Sequence, residues 1–356
     1  MRMGGKVRLA LVGCGFMGQA VHLPNFLKAR GCEVVAVCEL REKLGRAVAE
    51  RYRIPRYYRS HRDLMDASDI DAAAVVTADD LHAPITVDLL SSGKHVFVEK
   101  PMATNVEDAQ TMVRASEASG KLLMVAYMKR YDEGVLKAKE ILDNLVSSGE
   151  LGEITFVRVH DFGGDWICGY DEPVIATDEP YPEVRPRPPK WLPESEVKRF
   201  YVFNNVFCHD INLLRFLLGD PREVKFATFR GDYHISVLGY DDFDVSFETG
   251  NISARFWDEE IRIYFRHGWL EIKLPPPLLR NVPASVEVYK AGKMQKVEIP
   301  YAGWSWAFRN EAQHFIDCVL EGKEPRSSGR DSLKDVMIAE AIYKCFLEGK
   351  SVKFAF

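Results

Sequence analysis

In the first third of the chain, short continuous apolar runs alternate with longer stretches that are apolar on one side only. Arg8 to Val12, Val34 to Cys38, Ala72 to Val76, His95 to Val98 and Leu122 to Ala126 are such runs. Each is too short for a buried helix and is bounded by turn residues, so each reads as a strand buried on both faces. The stretches between them read as helices: Gly18 to Arg30, closed by Gly31; Glu42 to Tyr52; and Pro84 to Ser92, closed by Gly93. A further helix, Val106 to Ser119, is capped by Asn105 and stopped by Gly120, with a short element around Asp63 to Ala67. Alternation of this kind specifies a parallel, doubly wound α/β sheet, and it sets a first domain at residues 1–126.

The pattern then changes. A helix spans Gly134 to Ser147, and from Gly152 the period of the apolar residues drops to two. Between Glu223 and Pro300, strands such as Phe243 to Phe247 and Ile261 to Phe265 follow at hairpin spacing. This predicts a mostly antiparallel sheet, open on one face and covered by helices on the other. Two helices, Ser305 to Leu320 and Ser332 to Leu347, and a strand, Val352 to Phe356, close a second α/β domain at 127–356. Residues 161–200 stand apart. Seven prolines lie between Pro173 and Pro193 among Trp166, Tyr170, Tyr181 and Trp191. A loop of this length is usually functional, and it reads equally well as a substrate lid or as an oligomer arm or packing loop.

Composition narrows the class. The length of 356 residues suits two domains, with 47% hydrophobic and 28% charged residues as in globular proteins. The net charge of −5 is spread along the chain, so no basic patch for nucleic acid is expected. No apolar run approaches membrane-spanning length, and no secretory segment opens the chain, so a cytoplasmic setting is expected. Seven cysteines at 14, 32, 38, 168, 208, 318 and 345 show no C-x-x-C spacing, which favours reduced thiols and no metal site.

Two motifs carry chemistry. Gly13-Cys14-Gly15-Phe16-Met17-Gly18 follows the first strand and opens the first helix, the context a dinucleotide fingerprint requires. Gly13 makes the tight turn, Gly15 leaves backbone N–H groups open to the pyrophosphate, and Gly18 allows helix and strand to approach. Glu39, at the end of the second strand, is placed to accept hydrogen bonds from the adenosine ribose. Its charge favours NAD, while Arg41 keeps NADP open as the second reading. Lys100, in Glu99-Lys100-Pro101, ends a later strand of the same sheet, the end at which open α/β sheets bind ligands. In the predicted helix from Phe203 to Gly219, Asn205, His209 and Asn212 share one stripe, and a histidine there is suited to proton transfer near neutral pH. Taken alone, such a histidine also reads as a structural residue, and Asn204 or Asn205 as a helix cap.

The glycine turn, Thr77-Ala78-Asp79-Asp80-Leu81-His82, the stretch from Gly93 to Pro101, and His209-Asp210-Ile211-Asn212 together resemble the Gfo/Idh/MocA oxidoreductases, and the likeness extends to Ser328-Gly329-Arg330-Asp331. The resemblance implies a Rossmann domain followed by an α/β domain whose open sheet face makes homodimers or homotetramers. It implies a sugar, sugar-derivative or cyclitol substrate. By position, Thr77, Ala78 and His82 would line the nicotinamide half of the cofactor, Glu99 and Lys100 would stand at the cofactor ribose and the reacting carbon, and His209 would move the proton. Arg130 and Trp191 are the substrate-side candidates.

The chain departs from the family pattern at four places. Asn205 stands where many members carry Asp, Leu192 where an arginine follows the tryptophan, Arg199-Phe200-Tyr201 where glycines cluster, and Met128 where an amide is common. Asparagine can orient His209 or hold a hydroxyl, but it cannot take a proton. The expectation is an NAD-dependent dehydrogenase acting on a secondary hydroxyl or the matching ketone. The competing readings are an NAD-dependent glycosidase with transient hydride transfer and a dinucleotide-binding sensor without turnover, like the galactose-pathway repressor of the same family.

Overall fold

A computed structural model describes residues 5–253 and 255–356, so the first four residues, at which a secretory segment was sought, lie outside it. Six parallel strands form the first sheet: β1 (Val7–Val12), β2 (Cys32–Cys38), β3 (Arg56–Tyr58), β4 (Ala72–Val75), β5 (His95–Val98) and β6 (Leu123–Val125). Their order, β3-β2-β1-β4-β5-β6, reverses direction beside β1 and creates the crevice in which such sheets bind nucleotides. The β4 run Ala-Ala-Ala-Val is buried throughout, as are the apolar residues of β1 and β5.

The helices of this part are α1 (Leu23–Lys28), α2 (Glu42–Tyr52), α3 (His61–Met65), α4 (Asp79–Ser91) and α5 (Val106–Ser119). Three details differ from the sequence reading. The first helical segment enters through a π turn at Gly18–His22, beside Pro24, which removes a donor from the ladder. Helix α4 begins at Asp79, with Pro84 inside it rather than at its start; Asp79 and Asp80 suit the positive end of the helix dipole. The stretch between α2 and β4 holds a half-buried edge strand, β3, as well as α3, and β3 has no apolar run to announce it.

The remaining elements are α6 (Glu133–Ser148), β7 (Ile154–Gly163), α7 (Val197–Leu218), β8 (Glu223–Arg230), β9 (Tyr233–Gly239), β10 (Asp244–Asn251), β11 (Asp258–Phe265), β12 (Gly268–Leu274), β13 (Ser285–Lys290), β14 (Lys296–Glu298), α8 (Ala307–Glu321), α9 (Gly329–Glu348) and β15 (Val352–Lys353). Strands β7 to β15 form a nine-stranded sheet in the order β14-β13-β12-β11-β7-β10-β9-β8-β15, antiparallel except where β10 runs parallel to β7. One face carries Val157, Val159, Val245, Phe247, Ile261 and Ile263, all buried. The other carries Phe156, Phe226 and Ile235, which are exposed, together with Arg158 and Glu248.

The compact units do not follow the contiguous division at residue 126. Met1–Tyr127 groups with Asp171–Asn205 and Phe308–Val336, while Met128–Tyr170, Val206–Ala307 and Met337–Phe356 form the second unit. Packing and hydrogen bonding account for the additions to the first unit. From α8, Phe315 meets Phe26 and Phe97 at ring separations of 6.3 and 5.6 Å. Ser327 holds the edge of β6, accepting the Val125 N–H at 2.9 Å and donating its hydroxyl back at 2.6 Å. The proline-rich segment is tied down at both ends. Near its start, Ile175 exchanges hydrogen bonds with the Gln19 amide (2.8 and 3.0 Å), and Arg51 donates to the Pro173 carbonyl. Further on, Arg187 grips Asp108 with two bonds of 2.7 Å, and its carbonyl accepts from Thr104 and Asn105.

Candidate active site

The glycine turn has the shape its sequence predicts. Gly13 adopts φ +97°, and a side chain there would meet the Val76 carbonyl at 2.1 Å; at Gly18 it would meet the Gly13 carbonyl at 2.5 Å. Only glycine fits either position. At Gly15 nothing lies within 4 Å, so no protein contact explains this glycine, and the space beside it suits a pyrophosphate. Phe16 and Met17 follow, half-buried. Glu39 is buried at the end of β2 and accepts the Cys14 N–H at 2.8 Å and the Arg41 guanidinium at 2.9 Å. This turn, with a carboxylate beside it, meets the steric and hydrogen-bonding demands of a dinucleotide.

The ends of β4 and β5 carry the other predicted residues of this unit. Thr77 and Ala78 lead into α4. His82 is fully buried, with Nδ1 2.8 Å from the Pro101 carbonyl and Nε2 3.2 Å from the Thr77 carbonyl, so it joins the two strand ends. Glu99 is bound at 2.5 Å to His22 and accepts the Lys100 N–H at 2.9 Å. Burial pushes the Glu99 carboxyl up, but the hydrogen bond and charge of His22, then Lys100 and His82, outweigh it and hold the group below the ordinary range. Lys100 extends its ammonium to Asn205, 2.9 Å from the carbonyl and 3.2 Å from Oδ1. The Asn205 amide donates in turn to Asp79 at 2.8 Å. Asn205 thus presents its oxygen to the lysine, and Asp79 fixes which way the amide points. Trp191, the tryptophan singled out in the proline-rich segment, is half-buried in this unit.

The second unit holds His209, half-buried on α7, and Arg130 and Asn212, both buried. Arg130 donates to the Asn212 carbonyl at 3.0 Å and lies over the Phe216 ring. Next to Arg130, sequence reasoning passed over Lys129, which has its own buried cluster. Its Nζ lies 2.5 Å from Glu259, 3.9 Å from Asp210 and 4.0 Å from Asp161. The three carboxylates are near enough to one another to hold a metal ion, but the chain's own ammonium stands among them. Burial, then Glu259, drive the Asp161 carboxyl up to about 7 against the pull of Lys129, and burial raises Asp210 strongly as well. Burial works against the Lys129 charge, but the three acids overcome it and raise this lysine.

His22 and Glu311 were also missed. Glu311 is completely buried on α8 and finds no hydrogen-bond donor among the described residues, so burial, with Glu99 nearby, lifts it far above its ordinary value. It interrupts an apolar stripe with Phe308 and Phe315, a signal that was present in the sequence.

Known proteins place these features. Residues 7–127 match the oxidoreductase family with an NAD-binding Rossmann fold, Gfo/Idh/MocA. A D-apiose dehydrogenase from Paraburkholderia graminis is 25% identical over 360 residues, covering 97% of this chain and 88% of its own. An inositol 2-dehydrogenase from Salmonella paratyphi B is 30% identical over 228 residues, 63% of this chain and 65% of that protein. Among solved structures, the aldose-aldose oxidoreductase from Caulobacter crescentus complexed with glycerol superposes with a TM-score of 0.76 at 24% identity, covering 98% of this chain and 100% of that one, which shows a common fold. No helix among the described residues is long and apolar enough to cross a membrane.

Proposed function

We propose that the chain is a member of the Gfo/Idh/MocA oxidoreductases, an NAD-dependent dehydrogenase that interconverts a secondary hydroxyl and the matching ketone of a sugar, sugar derivative or cyclitol. The observation that carries this reading is Lys100. Its ammonium is held on Asn205 at the carboxyl end of β5, in the same unit as the glycine turn and Glu39. Gly13, Gly15, Phe16, Met17 and Gly18 form the pyrophosphate turn, Glu39 takes the adenosine ribose, and Thr77, Ala78, His82 and Glu99 shape the nicotinamide end. Bound NAD supplies the hydride acceptor.

The protein's own task is to manage charge and proton. The Lys100 ammonium stabilises the alkoxide that develops as the hydroxyl proton leaves. His209, assigned by its place in the family motif, takes that proton. Asn205 holds the lysine and leaves the proton chemistry to the histidine, since an amide cannot accept it. Arg130 and Trp191 are proposed on the substrate side; the burial of Arg130 against Phe216 favours a supporting part for it. Association into homodimers or homotetramers through the open sheet face is supported by the exposure of Phe156, Phe226 and Ile235 there.

The test is a spectrophotometric screen of the purified protein with NAD, and separately NADP, across sugars, sugar acids, nucleotide sugars and inositols. NAD reduction by one such polyol, abolished in Lys100→Ala, is the expected result. Unchanged turnover in Lys100→Ala overturns the reading. Tight cofactor retention without net reduction moves the weight to internal cofactor recycling or to sensing.

A further inference from the structure

We infer that Asp178 and Glu179, two acids of the proline-rich segment, enforce the choice of NAD over NADP by occupying the donors that a 2′-phosphate would need. The inference rests on the dinucleotide reading above and extends it to a part of the chain that no motif marks.

Glu39 ends β2, Arg41 precedes the first residue of α2, and Lys43 lies in its first turn. A phosphate on the ribose hydroxyl nearest Glu39 would fall within this turn. The groups able to receive it are the Arg41 guanidinium, the Lys43 ammonium and the free N–H groups at the start of α2. This would be a well-furnished phosphate site if those groups were open.

The Arg41 guanidinium, the Lys43 ammonium and the Lys43 and Leu44 N–H groups are all engaged by carboxylates of the same unit. Arg41 is bound to Glu39 at 2.9 Å through Nε, and the exposed Tyr181 ring covers its guanidinium at 4.4 Å. The Lys43 ammonium is bound by both Asp178 oxygens, at 2.8 and 3.0 Å. The two oxygens of Glu179 accept the Lys43 and Leu44 N–H groups, each at 3.0 Å, and Thr177 donates to Glu179 at 3.1 Å. Burial acts to raise Glu179, and these hydrogen bonds with the Lys43 charge lower it further than burial raises it, so the acid is held ionised.

Glu39, Asp178 and Glu179 therefore face Arg41 and Lys43, leaving a net negative charge before any ligand arrives. A 2′-phosphate would have to displace the 177–181 segment or meet three carboxylates that already engage these donors. The unphosphorylated ribose asks nothing of these groups beyond Glu39. Glu39 alone repels a phosphate, but it leaves Lys43 and the helix start able to compensate. Asp178 and Glu179 close that route, and this accounts for an NAD preference in spite of Arg41.

The experiment is a binding titration of the full-length protein with NAD and NADP, by quenching of intrinsic fluorescence or by calorimetry, on wild type, Asp178→Asn/Glu179→Gln and Glu39→Ser. Wild type is expected to bind NAD about a hundredfold tighter than NADP. The double variant is expected to tighten NADP by about tenfold while NAD affinity moves by no more than about threefold. Combining it with Glu39→Ser should bring NADP to parity or beyond. The NAD titration doubles as the check on folding. An unchanged NADP-to-NAD ratio in the double variant, with NAD still bound, overturns the inference and leaves the dinucleotide reading intact. Equal affinities in wild type overturn it too. Binding of neither nucleotide to wild type removes the reading on which it rests.

Discussion

Two buried charge clusters, one in each unit, start from similar materials and reach opposite electrostatic states. In the first, Glu99 is hydrogen-bonded to His22 and lies beside Lys100, and its carboxyl is lowered. In the second, Asp161, Asp210 and Glu259 share the single ammonium of Lys129, and Asp161 and Asp210 are raised. Both sites are buried, so burial does not distinguish them. The difference lies in stoichiometry. Glu99, bonded to His22 beside Lys100, stays ionised, while its neighbour Glu311, with no donor among the described residues, is raised; in the second cluster three acids on one cation leave an excess of negative charge that a bound proton relieves. In the first cluster the ionised Glu99 lies beside Lys100, the residue proposed above to face the reacting oxygen. The second behaves as a structural lock with a proton in it.

The contrast is broken most severely at Lys129. Lys129→Met leaves three buried acids without their cation, and urea denaturation should show a loss of about 3–5 kcal/mol. Converting Asp210 to Asn in the same chain should restore part of it. Stability unchanged in Lys129→Met would mean that the acids are already neutral without the lysine.

At Lys100 the effect should fall on catalysis instead. Lys100→Ala is expected to lower kcat by roughly 100- to 1,000-fold on the substrate found by the screen, with a shift in Tm of only a few degrees. A large drop in Tm would assign this lysine to the lock class as well.

The pH responses of the two clusters should have opposite signs. Burial and Glu259 push the Asp161 carboxyl up to about 7 in the folded chain, against an ordinary carboxylate value of about 3.9, so folding takes up a proton between those values. The stabilisation this provides is complete below the unfolded value and is lost as pH rises through 7. Asp161→Asn, neutral at every pH, should abolish that decline in Tm between pH 5 and 8, an effect of about 1–3 kcal/mol. Glu99 is held below its ordinary value, so its contribution is present above that value and is lost as pH falls through the folded value. Glu99→Gln should flatten the acid limb of the same curve. A variant that flattens the opposite limb would refute the assignment of charge states.

Much of this was legible before any coordinates. The alternation of apolar runs and amphipathic stretches placed β1, β2, β4, β5 and β6 within a residue or two, because strands buried on both faces admit almost no polar residues. The edge strand β3 escaped, since a half-buried strand of Arg56, Tyr57 and Tyr58 has no such constraint. The glycine turn was readable for a related reason: a backbone that must adopt φ +97° beside a carbonyl leaves one residue type available. A signal of the buried acids was present in the sequence, though the reading passed over it, because Asp161 and Glu259 fall in phase with the apolar residues of β7 and β11. Their partner was not, since Lys129 lies far from Glu259 along the chain and only the fold joins them.

Sequence by itself determined the local rules, namely which residues could be strand, helix or turn, and hence the doubly wound sheet, the dinucleotide fingerprint and the family resemblance. Each of these is specified by neighbours a few residues apart, so each leaves a pattern of fixed spacing. Tertiary structure alone decided where the proline-rich segment goes, that 308–336 belongs with the first unit, and which acids meet which cations. Those outcomes depend on contacts between residues a hundred or more positions apart, such as Glu179 with Lys43 or Asn205 with Lys100. Such contacts are selected by burial and charge balance across the folded chain, and no period or spacing records them.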